Sequence, residues 1–353
     1  MKYLLYCGPG IGDFILSLPM AKAIKIADRD AYIKAFCRSS KSRIVNNKKM
    51  MSLQNYIDEL DYYASEEPLH SIKLVLANGF KKFDVGIGIQ TSKNYNVSTI
   101  PSRIINLGSK LTYGFKTKNP KIKYDIYAEY QDGMRVTEIP FNILKVAKID
   151  APFDYKGLLD GSKLPRFVHL RENEINQPCI SLCIGTAPVS QKLETGFKTN
   201  TPKRWPYKYW IELAQKLAIL NWNVFLLGGN KEKEETCHLL SKHMPANIKN
   251  YVGKCSILES MSVLNDSKIV VGADTGLMHC AGALGVKTLT LFGCTDYKEY
   301  LPIGEESYYI ASNEPCSPCF GSAQSVLCEH HNCMKNITVE QVFNKIIELQ
   351  KKL

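Results

Sequence analysis

Residues 269–292 place a polar group between two apolar segments, an arrangement that α/β proteins use to hold phosphates. Segment 269–271 is short and β-branched, as in a buried parallel strand, and 277–284 favours a helix rich in small residues. Asp274 is placed to cap that helix, which leaves the amides of Thr275 and Gly276 to meet a phosphate. The pattern predicts a site for a nucleotide-type donor.

Three more polar residues lie at similar positions. Thr186 follows a predicted strand that ends at Ile184 and is either a phosphate or sugar contact or a simple turn residue. Glu232 follows strand 222–227, where a carboxylate can accept ribose hydroxyls, although a solvated helix N-terminus is the alternative. His279 is expected on the helix face directed at the pocket, or else as a satisfied structural group.

Other candidates are a carboxylate and two cations. Asp13 sits at the first strand-to-helix turn beside Gly10 and Gly12, where it would at least cap the helix that follows. Lys203 and Arg204 precede a Trp-Pro pair and a helix start, which favours an ordered turn over a solvated surface turn. Two ordered cations would suit an anionic ligand.

A cysteine cluster near the C-terminus could hold a structural metal. Its members are Cys316, Cys319, Cys328 and Cys333, with His330 and His331 beside them. Four thiolates within a short segment can satisfy tetrahedral zinc or an iron ion. The alternatives are reduced packing cysteines or a redox-sensitive pair, and no catalytic role is expected for a metal here.

Composition narrows the class of protein. The chain has 353 residues, 12 cysteines and a formal net charge of +11. The scattered cysteines favour a reducing compartment, and the charge favours an anionic partner or an anionic membrane surface. No motif typical of nucleic-acid binding, transmembrane run or signal peptide is present, so we expect a cytoplasmic protein that does not bind nucleic acid.

Apolar segments and helical patterns alternate twice along the chain. This predicts an α/β fold of two doubly wound, Rossmann-like domains facing across a cleft. We place the first domain at 1–165, a linker at 166–178, the second domain at 179–335, and a terminal amphipathic helix within 336–353.

Several local predictions accompany this division. In the first domain, helix 14–26 is expected to be interrupted early by Pro19, and 103–106 is expected to be a short strand. The carboxylate pair of Asp28 and Asp30 resembles a metal-binding motif, but it precedes a strand and is interpreted as a solvated turn.

Three motifs in this order resemble the family 9 glycosyltransferases, the lipopolysaccharide heptosyltransferases. They are Gly10-Ile11-Gly12-Asp13 with Leu18-Pro19; Lys203-Arg204-Trp205-Pro206 with Gly228-Gly229 and Glu232; and Asp274-Thr275-Gly276-Leu277-Met278-His279-Cys280-Ala281 with Phe292-Gly293 and Pro302. The resemblance implies a GT-B architecture, with an acceptor-binding N-terminal domain and a C-terminal domain for ADP-heptose. It also implies inverting transfer without an essential metal, to an anionic, Kdo-containing lipid A precursor at the cytoplasmic membrane face.

The resemblance also implies roles for residues. Asp13 matches the family's general base, and Lys203 its phosphate-contacting lysine, with Arg204 as a second cation. Asp274 would contact the heptose or hold its loop, and His279 would contact the donor. Basic residues of the first domain are candidates for the acceptor's anionic groups, or else form a surface loop unrelated to it: Arg38, Lys41, Arg43, Lys48 and Lys49.

One departure leaves other functions open. Segment 188–202 is longer than is usual in the family, so another nucleotide sugar, or a protein or small-molecule acceptor, is an alternative. A non-catalytic nucleotide-binding module is a third interpretation.

Overall fold

The protein, seen in a computed structural model, divides into two compact units, Met1–Lys163 and Leu164–Leu353. The structure describes residues 1–8, 10–64, 67–88, 99–116, 119–129, 134–168, 174, 176–193, 196–240 and 244–351, without the side chains of 42, 43, 68, 189, 191–193, 197 and 237–240.

Unit 1 is a parallel sheet with helices on both faces. Its strands are β1 (Lys2–Cys7), β2 (Tyr32–Arg38), β3 (Glu59–Tyr63), β4 (Phe83–Gly88), β5 (Ser109–Phe115) and β6 (Ile126–Ala128). Its helices are α1 (Ile11–Ala27), α2 (Lys41–Met50), α3 (Pro68–Asn78), α4 (Thr99–Gly108) and α5 (Ile139–Val146), with short 3₁₀ turns at Met51–Leu53 and Gly161–Lys163.

The strand order of unit 1 is β3-β2-β1-β4-β5-β6. The chain moves outward from β1 in one direction and then returns to build the other half from β4. The loop that follows β1 is therefore at the topological switch point, where the ends of diverging connections leave space for a ligand. Asp13 lies in the first turn of the helix that this loop opens.

Unit 2 repeats this design. Its strands are β7 (Cys179–Cys183), β8 (Val189–Leu193), β9 (Gly196–Asn200), β10 (Asn223–Leu227), β11 (Ile248–Asn250), β12 (Ile269–Ala273), β13 (Lys287–Phe292) and β14 (Ser307–Ala311). Its helices are α6 (Tyr207–Ile219), α7 (Asn230–Leu240), α8 (Ile257–Asn265), α9 (Gly276–Ala283), α10 (Tyr297–Tyr300), α11 (Ala323–Leu327), α12 (Asn332–Lys335) and α13 (Val339–Gln350).

The main sheet of unit 2 has the order β11-β10-β7-β12-β13-β14. Its switch point lies between β7 and β12, with Leu182 paired to Leu226 on one side and to Val271 on the other. Strands β8 and β9 form a separate antiparallel hairpin, which accounts for the long 188–202 segment. The C-terminal helix α13 packs on α6, and its Val342 and Ile346 belong to the buried core of unit 2.

Two local predictions are wrong. Segment 103–106 lies inside helix α4 instead of forming a strand. Ile104 and Ile105 both pack in the core of unit 1, and this tertiary burial outweighs the weak strand preference of β-branched residues. Helix α1 runs through Pro19 without interruption. Asp28 and Asp30 lie in the turn after α1, as expected, where Asp28 pairs with the N-terminal amino group at 2.7 Å.

Among the described helices, none combines the length and apolar character that crossing a membrane requires.

Candidate functional site

Asp13 closes the turn at the N-terminus of α1. Its Oδ2 accepts a hydrogen bond from the Gly10 amide at 2.8 Å, so Asp13 caps α1 from its third position and not, as expected, from the residue before the helix. Gly8 and Gly10 make the turn possible: a Cβ on Gly8 would lie 2.4 Å from Oδ1 of Asp13, and one on Gly10 would lie 3.0 Å from Oδ2. Asp13 is half-buried at the carboxyl edge of β1. A carboxylate so held is positioned to take a proton from a ligand in that loop.

The centre of the candidate donor site is an ion pair. The Lys203 ammonium donates a hydrogen bond to Oδ2 of Asp274 at 2.7 Å. The two side chains are 17% and 6% exposed, so the pair is shielded from water. Burial raises the pKa of Asp274, but the Lys203 charge and His279 outweigh it and hold that pKa well below its usual range. Asp274 is therefore ionised, and it fixes the position of a cation that has two further N–H donors for a ligand.

The expected helix cap by Asp274 is wrong. Thr275 occupies the N-cap position of α9, and its side chain makes no capping hydrogen bond. Asp274 lies one residue earlier, where Oδ1 faces Nε2 of His279 at 3.7 Å. The carboxylate is held by Lys203 and His279 instead of by the helix amides. The amides of Thr275 and Gly276, at the start of α9, are thus not capped by Asp274.

Buried polar atoms without partners occur on the same side of the sheet as the ion pair, after strands β7 and β12. Within the described part of the chain, Thr186 Oγ1, Thr275 Oγ1 and His279 Nδ1 are buried and make no hydrogen bond. Thr186 follows β7 and Thr275 follows β12, so the two hydroxyls flank the switch point. Buried polar groups are normally satisfied, and leaving one unpaired costs about 1–3 kcal/mol. Their convergence indicates a site that a polar ligand completes.

Arg204 is held differently from Lys203. Its guanidinium pairs with Glu235 at 2.9 Å and lies over the ring of Tyr207 at 5.1 Å. Two of its nitrogens, Nε and Nη2, are buried without a partner among the described residues. The following Trp205 is fully buried and donates its indole N–H to the Ile337 carbonyl at 2.8 Å. The turn is ordered, as its Trp-Pro pair predicted.

Glu232 is buried, so a solvated helix N-terminus does not describe it. It lies in the first turn of α7 and accepts the Gly229 amide at 2.9 Å. Gly185, which follows β7, leaves space for the carboxylate, since a Cβ there would lie 3.2 Å from its carboxyl carbon. Glu232 therefore stands at the carboxyl edge of the sheet, beside the loop that carries Thr186.

Lys203 has one neighbour that the sequence did not signal. The Lys203 ammonium lies 4.5 Å from the centroid of the Phe320 ring, a cation–π contact. The Phe320 amide donates to the Cys294 carbonyl at 2.8 Å, and Asn200 donates to the Cys328 carbonyl at 2.6 Å. The cysteine segment thus holds the Lys203 turn. No local pattern signals a contact between residues so far apart in sequence.

The cysteines line a cavity of about 120 Å³. It is bordered by Pro202, Cys294, Glu314, Cys316, Cys319, Gln324, Cys328, His330, His331, Asn332 and Cys333. Burial raises the pKa of the Cys333 thiol to about 11, and the nearby thiols of Cys319, Cys316 and Cys328 add to this. Nε2 of His331 is buried without a partner among the described residues.

The ligand chemistry of this cavity fits a thiophilic metal, but its arrangement does not form a coordination sphere. In the described part of the chain, no group of three or more His, Cys, Asp or Glu side chains is set to hold a metal ion. The four thiols nevertheless line one cavity.

The basic candidates of unit 1 lie at the end of β2 and at both ends of α2. Arg38 ends β2, and Lys41, Lys48 and Lys49 lie on α2 with exposed side chains. The side chain of Arg43 lies outside the described residues. Arg38 and Lys41 therefore lie at the carboxyl edge of β2, whereas Lys48 lies near Glu59 at the start of β3.

Part of unit 2 matches a known protein family in sequence. Residues 193–330 match the family described as Glycosyltransferase family 9 (heptosyltransferase). Lipopolysaccharide heptosyltransferase 1 of Pseudomonas aeruginosa is 34% identical over 127 residues, covering 34% of each chain. Lipooligosaccharide heptosyltransferase 2 of Campylobacter jejuni is 24% identical over 163 residues, 45% of this chain and 50% of that protein. The matched stretch therefore spans between about a third and a half of these relatives.

Solved structures match the fold of the whole chain. The E. coli heptosyltransferase WaaC with ADP has a TM-score of 0.72, with 17% identity over 99% of both chains. The iron-containing dodecameric glycosyltransferase TibC of enterotoxigenic E. coli has a TM-score of 0.53, with 13% identity over 100% of this chain and 78% of that one. These similarities confirm the expected GT-B fold class with two Rossmann-like units. In sequence, the similarity to glycosyltransferase family 9 covers residues 193–330, which lie in unit 2.

Proposed function

We propose that this protein is an inverting glycosyltransferase that transfers heptose from ADP-heptose to an anionic acceptor of the lipopolysaccharide inner core. One observation carries the proposal: the buried Lys203–Asp274 pair lies at the start of α9, among unpartnered hydroxyls that flank the switch point. A cation and helix-end amides together suit a diphosphate. The family match supports heptose as the sugar, and the fold relative with bound ADP supports ADP as the nucleotide.

The reaction is a single displacement. The acceptor hydroxyl oxygen attacks the anomeric carbon, Asp13 takes its proton, and the bond from that carbon to the diphosphate oxygen breaks. The electron pair leaves with ADP, and attack from the opposite face inverts the anomeric configuration. Negative charge grows on the diphosphate in the transition state, where Lys203 and the amides of Thr275 and Gly276 stabilise it more than in the ground state.

The positions of four other side chains suggest further contacts with the donor. Glu232 accepts ribose hydroxyls with the oxygen that does not cap α7, and Thr186 donates to a phosphate or a sugar hydroxyl. His279 meets the sugar through Nδ1. Arg204 serves as a second cation near the diphosphate, although Glu235 already neutralises part of its charge. No step requires a metal as Lewis acid.

We propose the class of acceptor from the positive charge of the protein. A Kdo-containing lipid A precursor carries phosphates and carboxylates, which suits the net charge of +11 and the cations of α2. Because such an acceptor is a lipid, the enzyme would work at the inner face of the cytoplasmic membrane, in peripheral contact with its anionic surface.

The β8–β9 hairpin favours a second candidate, a related transferase with another nucleotide sugar or another acceptor, because it lies directly before the Lys203 turn. A panel of nucleotide sugars separates the candidates. We expect turnover with ADP-heptose and an anionic core acceptor, and at most trace turnover with UDP- or GDP-sugars. Turnover of another donor alone would replace the heptose assignment, and binding of ADP without any turnover would indicate a binding module.

ADP titration of two matched threonine variants tests the donor site. Thr186→Val removes a hydroxyl that we assign to the donor, and a lost hydrogen bond should weaken ADP binding by roughly tenfold. Thr290→Val is the control, because its hydroxyl is equally buried and unpartnered among the described residues but lies within β13. Equal loss in both variants would remove Thr186 from the site.

A metal at the cysteine cluster is a separate proposal, with a structural role only. Cys316, Cys319, Cys328 and Cys333 would hold zinc or iron as thiolates, and the iron-containing fold relative supports iron. Protein purified without chelator should carry about one equivalent of metal. Cys328→Ser should lose it, whereas Cys255→Ser, a cysteine outside the cavity, should keep it. Metal far below one equivalent in the wild-type protein would contradict the site.

A further inference from the structure

Helix α3 exposes an unusual amount of apolar surface. Leu69, Ile72 and Leu76 follow the helical repeat on its outer face, and Leu69 is 76% exposed. The opposite face packs inward through Leu74, which belongs to the core of unit 1. A surface helix normally keeps its outer face polar, so an outer apolar stripe indicates a binding surface.

The turn after α3 extends this stripe. Phe80 and Lys81 adopt left-handed backbone angles, with φ of 64° and 56°, a conformation that bulky residues rarely accept. Phe80 is nevertheless 79% exposed, so packing within the described chain does not explain the strain. The Lys81 amide donates to the Leu107 carbonyl at 3.0 Å, which places the turn beside the C-terminal end of α4. Leu107 is itself exposed and adds to the same apolar surface.

The charge around this surface has one sign. Segments 68–82 and 99–111 contain five basic residues and no Asp or Glu: Lys73, Lys81, Lys82, Arg103 and Lys110. All five are exposed. The nearby Asp84 is paired with Lys110 at 2.8 Å. An apolar stripe bordered by cations matches the interface of an anionic bilayer, where acyl chains meet phosphate groups. A symmetric contact between two copies would set these cations against each other, which disfavours a dimer through this face.

We infer that α3, the 79–82 turn and the end of α4 form the surface by which unit 1 docks on an anionic membrane. Leu69, Ile72, Leu76 and Phe80 enter the headgroup region, and the basic residues contact lipid phosphates. This inference rests on the membrane contact in the proposed function and names the surface that makes it. Binding through this surface would hold unit 1 against the membrane that carries the proposed lipid acceptor.

The test is sedimentation of the full chain with vesicles of anionic and of zwitterionic phospholipid. The triple variant Ile72→Ser/Leu76→Ser/Phe80→Ser should bind anionic vesicles at least about tenfold more weakly than wild type. The matched control is Ile219→Ser/Leu220→Ser/Leu327→Ser, three exposed apolar residues of unit 2, which should bind like wild type. Lys73→Gln/Lys82→Gln should weaken binding to anionic vesicles and reduce its dependence on salt.

The outcomes are distinguishable. Equal vesicle binding by wild type and the unit 1 triple variant overturns the surface, while the membrane contact stands. If wild type binds no vesicles but turns over ADP-heptose, both the membrane contact and the surface fail and the transfer activity stands. Wild type that self-associates while the triple variant is monomeric, with equal vesicle binding, would assign the face to a second copy. Unchanged thermal unfolding and ADP binding of the triple variant confirm that the fold is intact.

Discussion

Asp13→Asn is expected to lower kcat for heptosyl transfer by about 10²- to 10⁴-fold while leaving ADP affinity unchanged. The asparagine carbonyl can still accept the Gly10 amide, so the cap of α1 survives. An amide cannot take the acceptor proton at neutral pH, so only the chemical step is lost. Steady-state kinetics and calorimetric titration with ADP measure the two effects separately.

A second capping carboxylate provides the control. Glu259 holds the same position in the first turn of α8, where it accepts the Ser256 amide at 2.7 Å. Glu259→Gln should retain wild-type kinetics, because that helix start carries no proposed site residue. If Asp13→Asn keeps more than about a tenth of wild-type kcat, the base assignment is wrong and Asp13 is only a cap.

Lys203→Met should cost both activity and stability. Removing a positioned cation from the leaving diphosphate is expected to lower kcat by about 10²- to 10³-fold and to weaken ADP binding. The variant also leaves Asp274 buried without its partner, which costs about 3–5 kcal/mol of stability in comparable pairs. Kinetics, ADP titration and denaturant unfolding measure the three effects.

A double variant separates the two roles of the pair. Lys203→Met/Asp274→Asn removes both charges, so most of the lost stability should return, while activity should not. Recovery of turnover in the double variant would show that Lys203 serves only to neutralise Asp274. Lys216→Met is the matched control for a paired lysine of unit 2, since its partner Glu340 is exposed.

The Lys203–Asp274 pair also predicts how the stability of the protein depends on pH. The folded pKa of Asp274 lies below its ordinary value of 3.8, so ionisation of this carboxylate stabilises the folded state. That contribution is complete above pH 3.8 and is lost as pH falls through the lower, folded pKa. The stability difference between wild type and the double variant should therefore be constant near neutrality and change only below that value.

Sequence predicted much of the site because its elements are local. The apolar strands β1, β7, β12 and β13 and the polar turns after them are each written in a few consecutive residues. Thr186 and Asp274 each follow a predicted strand, and parallel strands bring their carboxyl ends to one edge of the sheet. Asp13 was expected at a strand-to-helix turn for the same reason.

Contacts between distant segments were not predictable in this way. Lys203 was expected to face a phosphate, but its partner Asp274 lies 71 positions away, and that carboxylate was expected to cap α9. Phe320 beneath Lys203 was missed because an aromatic residue beside a cysteine has no pattern of its own. In unit 1, the exposure of the outer stripe of α3 is not predictable from sequence, since sequence does not reveal which face another element covers.

The sequence by itself determined that this protein is a two-unit α/β chain with polar turns at the carboxyl ends of its strands, because apolar periodicity and glycine-containing turns are short-range properties. Only the tertiary structure decided which charges pair, which hydroxyls are left without a partner among the described residues, and which apolar face stays exposed. Those features depend on how segments far apart in the chain exclude water from one another, and burial sets the strength of every charge and hydrogen bond in the site.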